Sequence, residues 1–323
     1  MIKRVFTILI LMMPLMAYAQ LGQVQLANQY YAQGDIDKAL QIYERLAKNE
    51  RNIPSIHQNY FNILLDLEDY KTAERYIDKA IKYYPDNTNY AVDKGVVYLA
   101  MDDLEDANDY FNVLIEQVAQ DNFKTRRTVQ YMLARQLIDY AVLTLNTARY
   151  LSGNPMMFSL ELANIYRSQN KKDLMVLEYL NFANQNPRNL QYVKNTLQNL
   201  LTEQEDLESL ELLLFDKVQE FPDNDIYGDM LVWVNLQLQN FYGAFVQARA
   251  IDKRQQLGGS KVLNIGMISL NNNDYRTAIL IFNYLVGNYP DSYVNIQARL
   301  YRINAREQLV KSTYPVDMQE VTR

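Results

Sequence analysis

Few residues of this sequence have the types and spacing that catalysis or metal binding requires. The one histidine, His57, has neither a second imidazole nor an evident triad partner, which favours a packing role. Residues 223–228 place oxygen-bearing side chains at alternate positions, as in a calcium-binding loop. However, Tyr227 stands where an oxygen ligand is needed, and Val234 stands where the bidentate glutamate belongs. A helix-capping turn is therefore the favoured interpretation of this segment.

Other kinds of chemical site are also missing from the sequence. There is no cysteine, which excludes disulfides and thiolate metal sites. We find no glycine-rich phosphate loop, nucleophile elbow or paired-histidine zinc motif. The formal net charge of −6 argues against nucleic acid as a partner, because that role requires concentrated lysine and arginine. We therefore expect no enzymatic activity and no cofactor.

The sequence features that indicate the secondary-structure elements recur along the chain with a constant period of between 30 and 40 residues, mostly 34. The small-residue column, one small or apolar residue per period, consists of Ala39, Ala73, Ala107, Ala141, Met175, Leu210, Ala244 and Ala278, with a single one-residue slip before Leu210. Twelve residues beyond this column lie Pro85, Pro187, Pro222 and Pro290. A small side chain lets two antiparallel helices approach closely, and a proline belongs just beyond the end of a helix. The period predicts stacked helix pairs.

The repeat resembles the tetratricopeptide repeat (TPR), a helix–turn–helix unit of about 34 residues. The resemblance covers residues 20–291 and implies an all-α, right-handed superhelical α-solenoid of about eight helix pairs. Residues 119–156 fit less regularly: the sequence predicts a long helix from Asp121 through Leu137, with no turn signal before Ala141. Residues 257–260, Leu-Gly-Gly-Ser, indicate a possible bend.

The two ends of the chain are predicted to differ from the repeats. Residues 1–19 have a basic start, an apolar run and the sequence Ala-Tyr-Ala, which together indicate a cleaved signal peptide. Residues 292–312 predict a capping helix or the start of another repeat, and 313–323 a tail. We expect this helix to bury Val294, Ile296, Leu300, Ile303 and Leu309. Its expected polar outer face consists of Arg299, Arg302, Arg306, Glu307 and Gln308.

In the TPR family the first helix of each pair lines a concave groove, so the resemblance implies a partner-binding column. This groove column reads Asn28, Asn62, Val96, Gln130, Asn164, Asn199, Trp233 and Met267, with Leu236 beside Trp233. Amide side chains both donate and accept hydrogen bonds, as peptide recognition requires, and tryptophan is favoured as an interface anchor. Two alternatives remain open: asparagine is abundant in this chain, and Trp233 could pack on the next repeat.

The expected function is protein binding by an exported scaffold. The partner is expected to be an extended segment or helix of a cell-envelope protein, and the location the periplasm of a Gram-negative bacterium. Val24, Asn89 and Asp93 occupy the sites where a basic carboxylate clamp is expected, so capture of a free C-terminal carboxylate is not predicted. The alternatives are a structural subunit of a secretion or outer-membrane assembly complex, and a glycan-binding repeat protein. After signal cleavage no membrane span is expected. The sequence leaves the partner's identity and the oligomeric state open.

Overall fold

The computed structural model describes residues 22–312, and the elements within that range are all helices. The α-helices are α1 (22–32), α2 (Ile36–Ala47), α3 (Ile53–Asp66), α4 (Tyr70–Tyr83), α5 (Thr88–Ala100), α6 (Leu104–Val118), α7 (Asn122–Ala134), α8 (Ile138–Ser152), α9 (Ser159–Ser168), α10 (Lys172–Gln185), α11 (Leu190–Leu200), α12 (Gln204–Glu220), α13 (Asp225–Gln237), α14 (Phe241–Gln255), α15 (Ser260–Asn271), α16 (Tyr275–Asn288) and α17 (Tyr293–Ser312). Short 3₁₀ turns at Glu50–Asn52 and Pro187–Asn189 precede α3 and α11. The expected signal peptide (1–19) and tail (313–323) lie outside the described residues. The chain divides into two compact units, residues 1–158 and 159–323, called unit 1 and unit 2 below.

The helices form eight consecutive pairs, α1–α2 through α15–α16, followed by α17, which confirms the predicted all-α architecture of helix pairs. The turn within a pair holds one residue in the left-handed backbone region, and these residues follow the repeat period. They are Gly34, Glu68, Asp102, Gln136, Asn170, Gln239 and Asn273. Among the described turns within pairs, only α11–α12 lacks such a residue, and that pair contains the one-residue slip.

In four of these turns the residue after the left-handed one is an aspartate that caps the second helix. The carboxylates of Asp35, Asp69, Asp103 and Asp274 each accept a hydrogen bond from the backbone N–H three residues later. Such a cap satisfies one of the N–H groups that the first turn of a helix leaves unpaired.

The small-residue column lies where the helices of a pair meet. All eight of its members are buried, including the larger Met175 and Leu210. The first helix contributes a matching close contact in two pairs. A Cβ added to Gly95 would lie 2.3 Å from the Phe111 ring, and one added to Gly266 would lie 2.6 Å from the Phe282 ring. Each proline of the second column lies two residues beyond the end of a second helix, as predicted.

Two local predictions were wrong. The long helix through Leu137 does not form, because α7 ends at Ala134 and Gln136 takes the left-handed turn position with φ of 60°. No turn signal was evident there because glutamine seldom adopts this conformation. The resulting pair, α7–α8, has ordinary helix lengths.

The buried face of α17 also differs in part from the predicted one: Val294 is buried as predicted and Leu309 is half-buried, but the other three residues are exposed. Ile296, Leu300 and Ile303 are 65%, 64% and 63% exposed, whereas Ala298 and Ala305 are fully buried. The small alanines allow close packing on α16. Asn295, on the same face, donates to the carbonyls of Val286 and Tyr289, which satisfies backbone groups at the end of α16. Apolar residues lie on both faces of α17, so periodicity alone could not identify the buried one.

Candidate partner-binding surface

The groove column lies on the first helices of the pairs, and none of its side chains is fully buried. In unit 1, Asn28, Asn62 and Gln130 lie on α1, α3 and α7, and Gln130 is exposed. In unit 2, Asn164 and Asn199 lie exposed on α9 and α11. Trp233 and Leu236 lie on α13 and Met267 lies on α15, all three half-buried. Unit 1 thus presents amide groups from α1, α3 and α7, with Val96 at the column position on α5, and unit 2 presents them from α9 and α11.

Two asparagines of the column use their carbonyl oxygens within the chain in the same way. The Tyr43 hydroxyl donates to Asn28 Oδ1 at 2.6 Å, and the Tyr179 hydroxyl donates to Asn164 Oδ1 at 3.3 Å. Both tyrosines lie at the same position on the second helix of the pair. Asn59 of α3 adds a second donor to Asn28 Oδ1 at 3.1 Å. The amide nitrogens of Asn28 and Asn164 have no hydrogen-bond partner among the described residues.

Asn62 is held differently because Ile77 occupies the position on the second helix where the other two pairs have tyrosine. Instead, Nη1 of Arg135, the residue just after the end of α7, donates to Asn62 Oδ1 at 2.8 Å. The carbonyl oxygen is again occupied, and the structure describes no partner for the amide nitrogen. The column was expected to donate and accept. At these three positions it offers donors, which suit the carbonyl oxygens of a bound backbone.

Arg135 also belongs to a buried polar cluster that links α3, α5 and α7. Its centre is Asp93, a fully buried carboxylate on α5. His57 Nε2 and the Tyr131 hydroxyl each lie 2.6 Å from Asp93 Oδ2. Arg135 Nη2 donates to the same oxygen at 3.2 Å, while its Nε lies 2.8 Å from Oδ1 without hydrogen-bond alignment. We call these four residues the Asp93 cluster.

Aromatic rings enclose the Asp93 cluster. The His57 ring stacks on Phe61 and Tyr76 and meets Tyr90 edge-on, with ring centroids 4.6–5.8 Å apart. The Arg135 guanidinium lies 5.2 Å from the centroid of the Phe61 ring. The expected packing role of His57 therefore holds, but the imidazole also has a carboxylate partner. Sequence analysis missed this partner because Asp93 lies on the first helix of the next repeat, far from His57 in the chain.

The electrostatics of the cluster follow from burial and from the charge of Asp93. Burial by itself lowers the pKa of Arg135, but the Asp93 carboxylate outweighs it, so the pKa of Arg135 is raised. Burial, followed by the negative charge of Asp93, raises the pKa of the Tyr131 hydroxyl. Arginine therefore stays charged and tyrosine stays neutral, and both are suited to hold the carboxylate. The cluster is a cross-link between three first helices.

The apolar members of the column divide between two packing clusters of unit 2. Trp233 packs against the cluster formed by α9 to α13, whereas Leu236 and Met267 pack against the cluster of α13 to α17. Because all three are half-buried, each shares its surface between the interior and solvent. The three side chains therefore do not form a single apolar binding patch within one cluster. The exposed part of each side chain is still accessible to a partner.

Basic groups that the sequence analysis did not consider lie on first helices of unit 2. Lys261 of α15 forms an ion pair with Asp229 of α13. Lys194 of α11 is half-buried; its pKa is lowered by burial, against the opposing attraction of Asp229. The search for a basic clamp considered only Val24, Asn89 and Asp93, so these lysines were missed.

The other candidate sites of the sequence are structural. Asn224 Oδ1 accepts hydrogen bonds from the backbone N–H groups of Ile226 and Tyr227, so residues 223–228 contain the predicted capping turn of α13. Across residues 22–312, no helix has both the length and the apolarity needed to cross a membrane.

Sequence comparison identifies the repeats. One tetratricopeptide-repeat family model matches residues 61–122, and another matches residues 17–52 and 262–292. No curated protein matches the chain.

Similar solved structures include the yeast Tom70 structure, with 16% identity and a TM-score of 0.29, covering 89% of this chain and 63% of that one. The P58(IPK) TPR domain has 12% identity and a TM-score of 0.26, covering 92% of this chain and 99% of that one. A structure of Naa15/Naa10 bound to HypK-THB has 13% identity and a TM-score of 0.28, covering 92% and 59%. The chain spans less than two thirds of the Tom70 and Naa15/Naa10 chains that it matches. Likeness at this level does not indicate what the chain binds.

The family matches and the helix pairs agree, and the chain carries tetratricopeptide repeats in both of its units.

Proposed function

We propose that this chain is an exported TPR scaffold that binds an extended segment or helix of a cell-envelope protein through the first helices of its pairs. The observation that carries the proposal is the bonding of the groove asparagines. Asn28, Asn62 and Asn164 each have the carbonyl oxygen engaged within the chain and the amide nitrogen without a partner among the described residues. Donors fixed on first helices, as those of Asn28 and Asn62 are on neighbouring pairs of unit 1, suit the backbone carbonyls of a bound segment.

Rigidity of the binding surface supports the same proposal. The Asp93 cluster ties α3, α5 and α7 together through contacts of 2.6–3.2 Å. A surface whose side chains are already held loses less conformational entropy when a partner binds. Unit 1 therefore presents Asn62 in a defined position, supported by Arg135.

The test is capture of a partner from the envelope fraction by variants that remove only the amide donor. Asn62→Asp and Asn164→Asp keep an oxygen for Arg135 and Tyr179 but lose the Nδ2 donor. Asn108→Asp is the matched control, because Asn108 also accepts from a tyrosine, Tyr140 at 2.7 Å, but lies on the second helix α6. We expect one captured protein to be lost with either groove variant and retained with the control. Equal capture by all variants would contradict groove binding.

Export is proposed from the sequence of residues 1–19 and needs its own test. The intact mass of the protein recovered from the periplasm of a Gram-negative host should correspond to a chain that begins at Gln20. Recovery of the uncleaved chain with the cells' cytoplasmic fraction would contradict export.

A further inference from the structure

The last described helix, α17, exposes an apolar strip that no other described helix covers. Tyr293, Ile296, Leu300 and Ile303 lie on one face at spacings of three and four residues, and each is more than 60% exposed. Such a run of large apolar side chains is unusual on a surface that faces only water. We call these four residues the α17 strip.

The repeat register shows what kind of element fits the strip. Ile296, Leu300 and Ile303 lie one repeat period after Val262, Gly266 and Ser269, which are buried on α15. The second helix of that pair, α16, covers this face: a Cβ on Gly266 would meet its Phe282 ring. The strip is thus the face of a first helix to which a second helix normally packs.

The same register holds in unit 1. On α3 the corresponding residues are His57, Phe61 and Leu64, and all three are buried. The His57 ring stacks on Tyr76 of α4, so the second helix of the pair reaches this face in the second pair as well as in the eighth. This recurrence favours a helix over an extended segment as the occupant of the α17 strip.

Charge along one edge of the strip indicates the chemistry of that helix. Arg299 and Arg306 lie seven residues apart along one side of the strip. Across α17, Lys311 pairs with the single acid Glu307, and the other charged residues, Arg299, Arg302 and Arg306, are all basic, although the whole chain carries a net charge of −6. A basic edge attracts acidic side chains on the facing edge of a docked helix.

The same edge disfavours a second copy of this chain as the occupant. In a two-fold antiparallel pair of α17 helices, like edges face each other, so Arg299 and Arg306 would oppose the same arginines of the other copy. We propose that the α17 strip is a docking surface for an amphipathic α-helix with an acidic edge, supplied by a partner protein. This helix takes the place relative to α17 that α16 has relative to α15.

The inference is tested with a synthetic probe that has the stated chemistry. Residues 103–119 of this chain contain the second helix α6, and this segment has five acids and no basic residue. A fluorescently labelled peptide of this sequence is titrated with the full chain and followed by anisotropy. We expect saturable binding that Leu300→Asp combined with Ile303→Asp weakens on the order of 10-fold or more. Arg299→Glu combined with Arg306→Glu should also weaken it, as should replacing the peptide's acids with glutamine.

Thermal unfolding and molecular mass distinguish the other occupants. Because both residues are well exposed, the double aspartate variant is expected to unfold at the wild-type temperature and to have the same mass as the wild-type chain. A clear fall in its melting temperature would show that the chain's own tail covers the strip. A dimer that this variant loses would show a second copy there. Equal peptide binding by wild type and variant, or none up to about 1 mM, would also overturn the proposal.

Discussion

Replacing the buried carboxylate of Asp93 should strongly destabilise unit 1. Asp93→Asn keeps the size of the side chain but removes the negative charge that balances Arg135. The contacts that lose their negatively charged partner are those of His57 and Tyr131 at 2.6 Å and the ion pair with Arg135 at 2.8 Å. Removing one partner of a buried ion pair is strongly destabilising, because the other charge stays buried without compensation. We expect a loss of about 3–5 kcal/mol.

The assay is urea unfolding followed by circular dichroism, with hydrogen exchange in α3, α5 and α7 as a local measure. Arg135→Leu should be destabilising alone, but combined with Asp93→Asn it should cost less than the sum of the two single changes. The expected difference is about 0.5–3 kcal/mol, the range for residues in one network. A cost below about 1 kcal/mol for Asp93→Asn, as for an exposed ion pair, would refute the reasoning.

Three further predictions address packing, ionisation and the segment 257–260. Ala73→Leu should overpack a fully buried helix crossing and lower stability by about 1–3 kcal/mol in urea unfolding; an unchanged midpoint would contradict the register. Burial raises the pKa values of Tyr60 and Tyr110 to about 12, so both hydroxyls should ionise only at high pH in an ultraviolet titration. The stability that these pKa shifts contribute should be fully present below pH 10 and should fall between pH 10 and 12. Asp252→Ala should speed hydrogen exchange at Gly259 and the start of α15, because Asp252 accepts from the Gly259 backbone at 2.8 Å; unchanged exchange would contradict this role.

Much of the fold could be predicted because the packing repeats. Every member of the small-residue column is buried, so one such residue per pair was enough to locate the second helices. Two turns were harder to locate, since Gln136 and Gln239 adopt left-handed backbone angles that favour glycine or asparagine. At these positions the packing of the two helices outweighs the local cost of about 1–2 kcal/mol.

The sequence predicted which helices carry the candidate site residues, but it did not predict their hydrogen-bond partners. The repeat register placed Asn62 and Asn164 on first helices, as expected. It could not show that Arg135 binds the carbonyl oxygen of Asn62, because that contact joins helices two pairs apart in the sequence. For the same reason the pairing of His57 with Asp93 was not predicted. Polar contacts between repeats vary from pair to pair, whereas the small-residue column is buried in every pair.

Site-specific crosslinking tests the proposed binding surface most directly. A photoreactive benzoylphenylalanine is placed at Gln130 on α7, at Met267 on α15, or at Tyr150, a strongly exposed residue on the second helix α8. Irradiation in the envelope fraction should join one partner protein to the variants at Gln130 and Met267 and leave the Tyr150 variant unmodified. Crosslinking from Tyr150 alone, with none from the first helices, would contradict binding through the groove column.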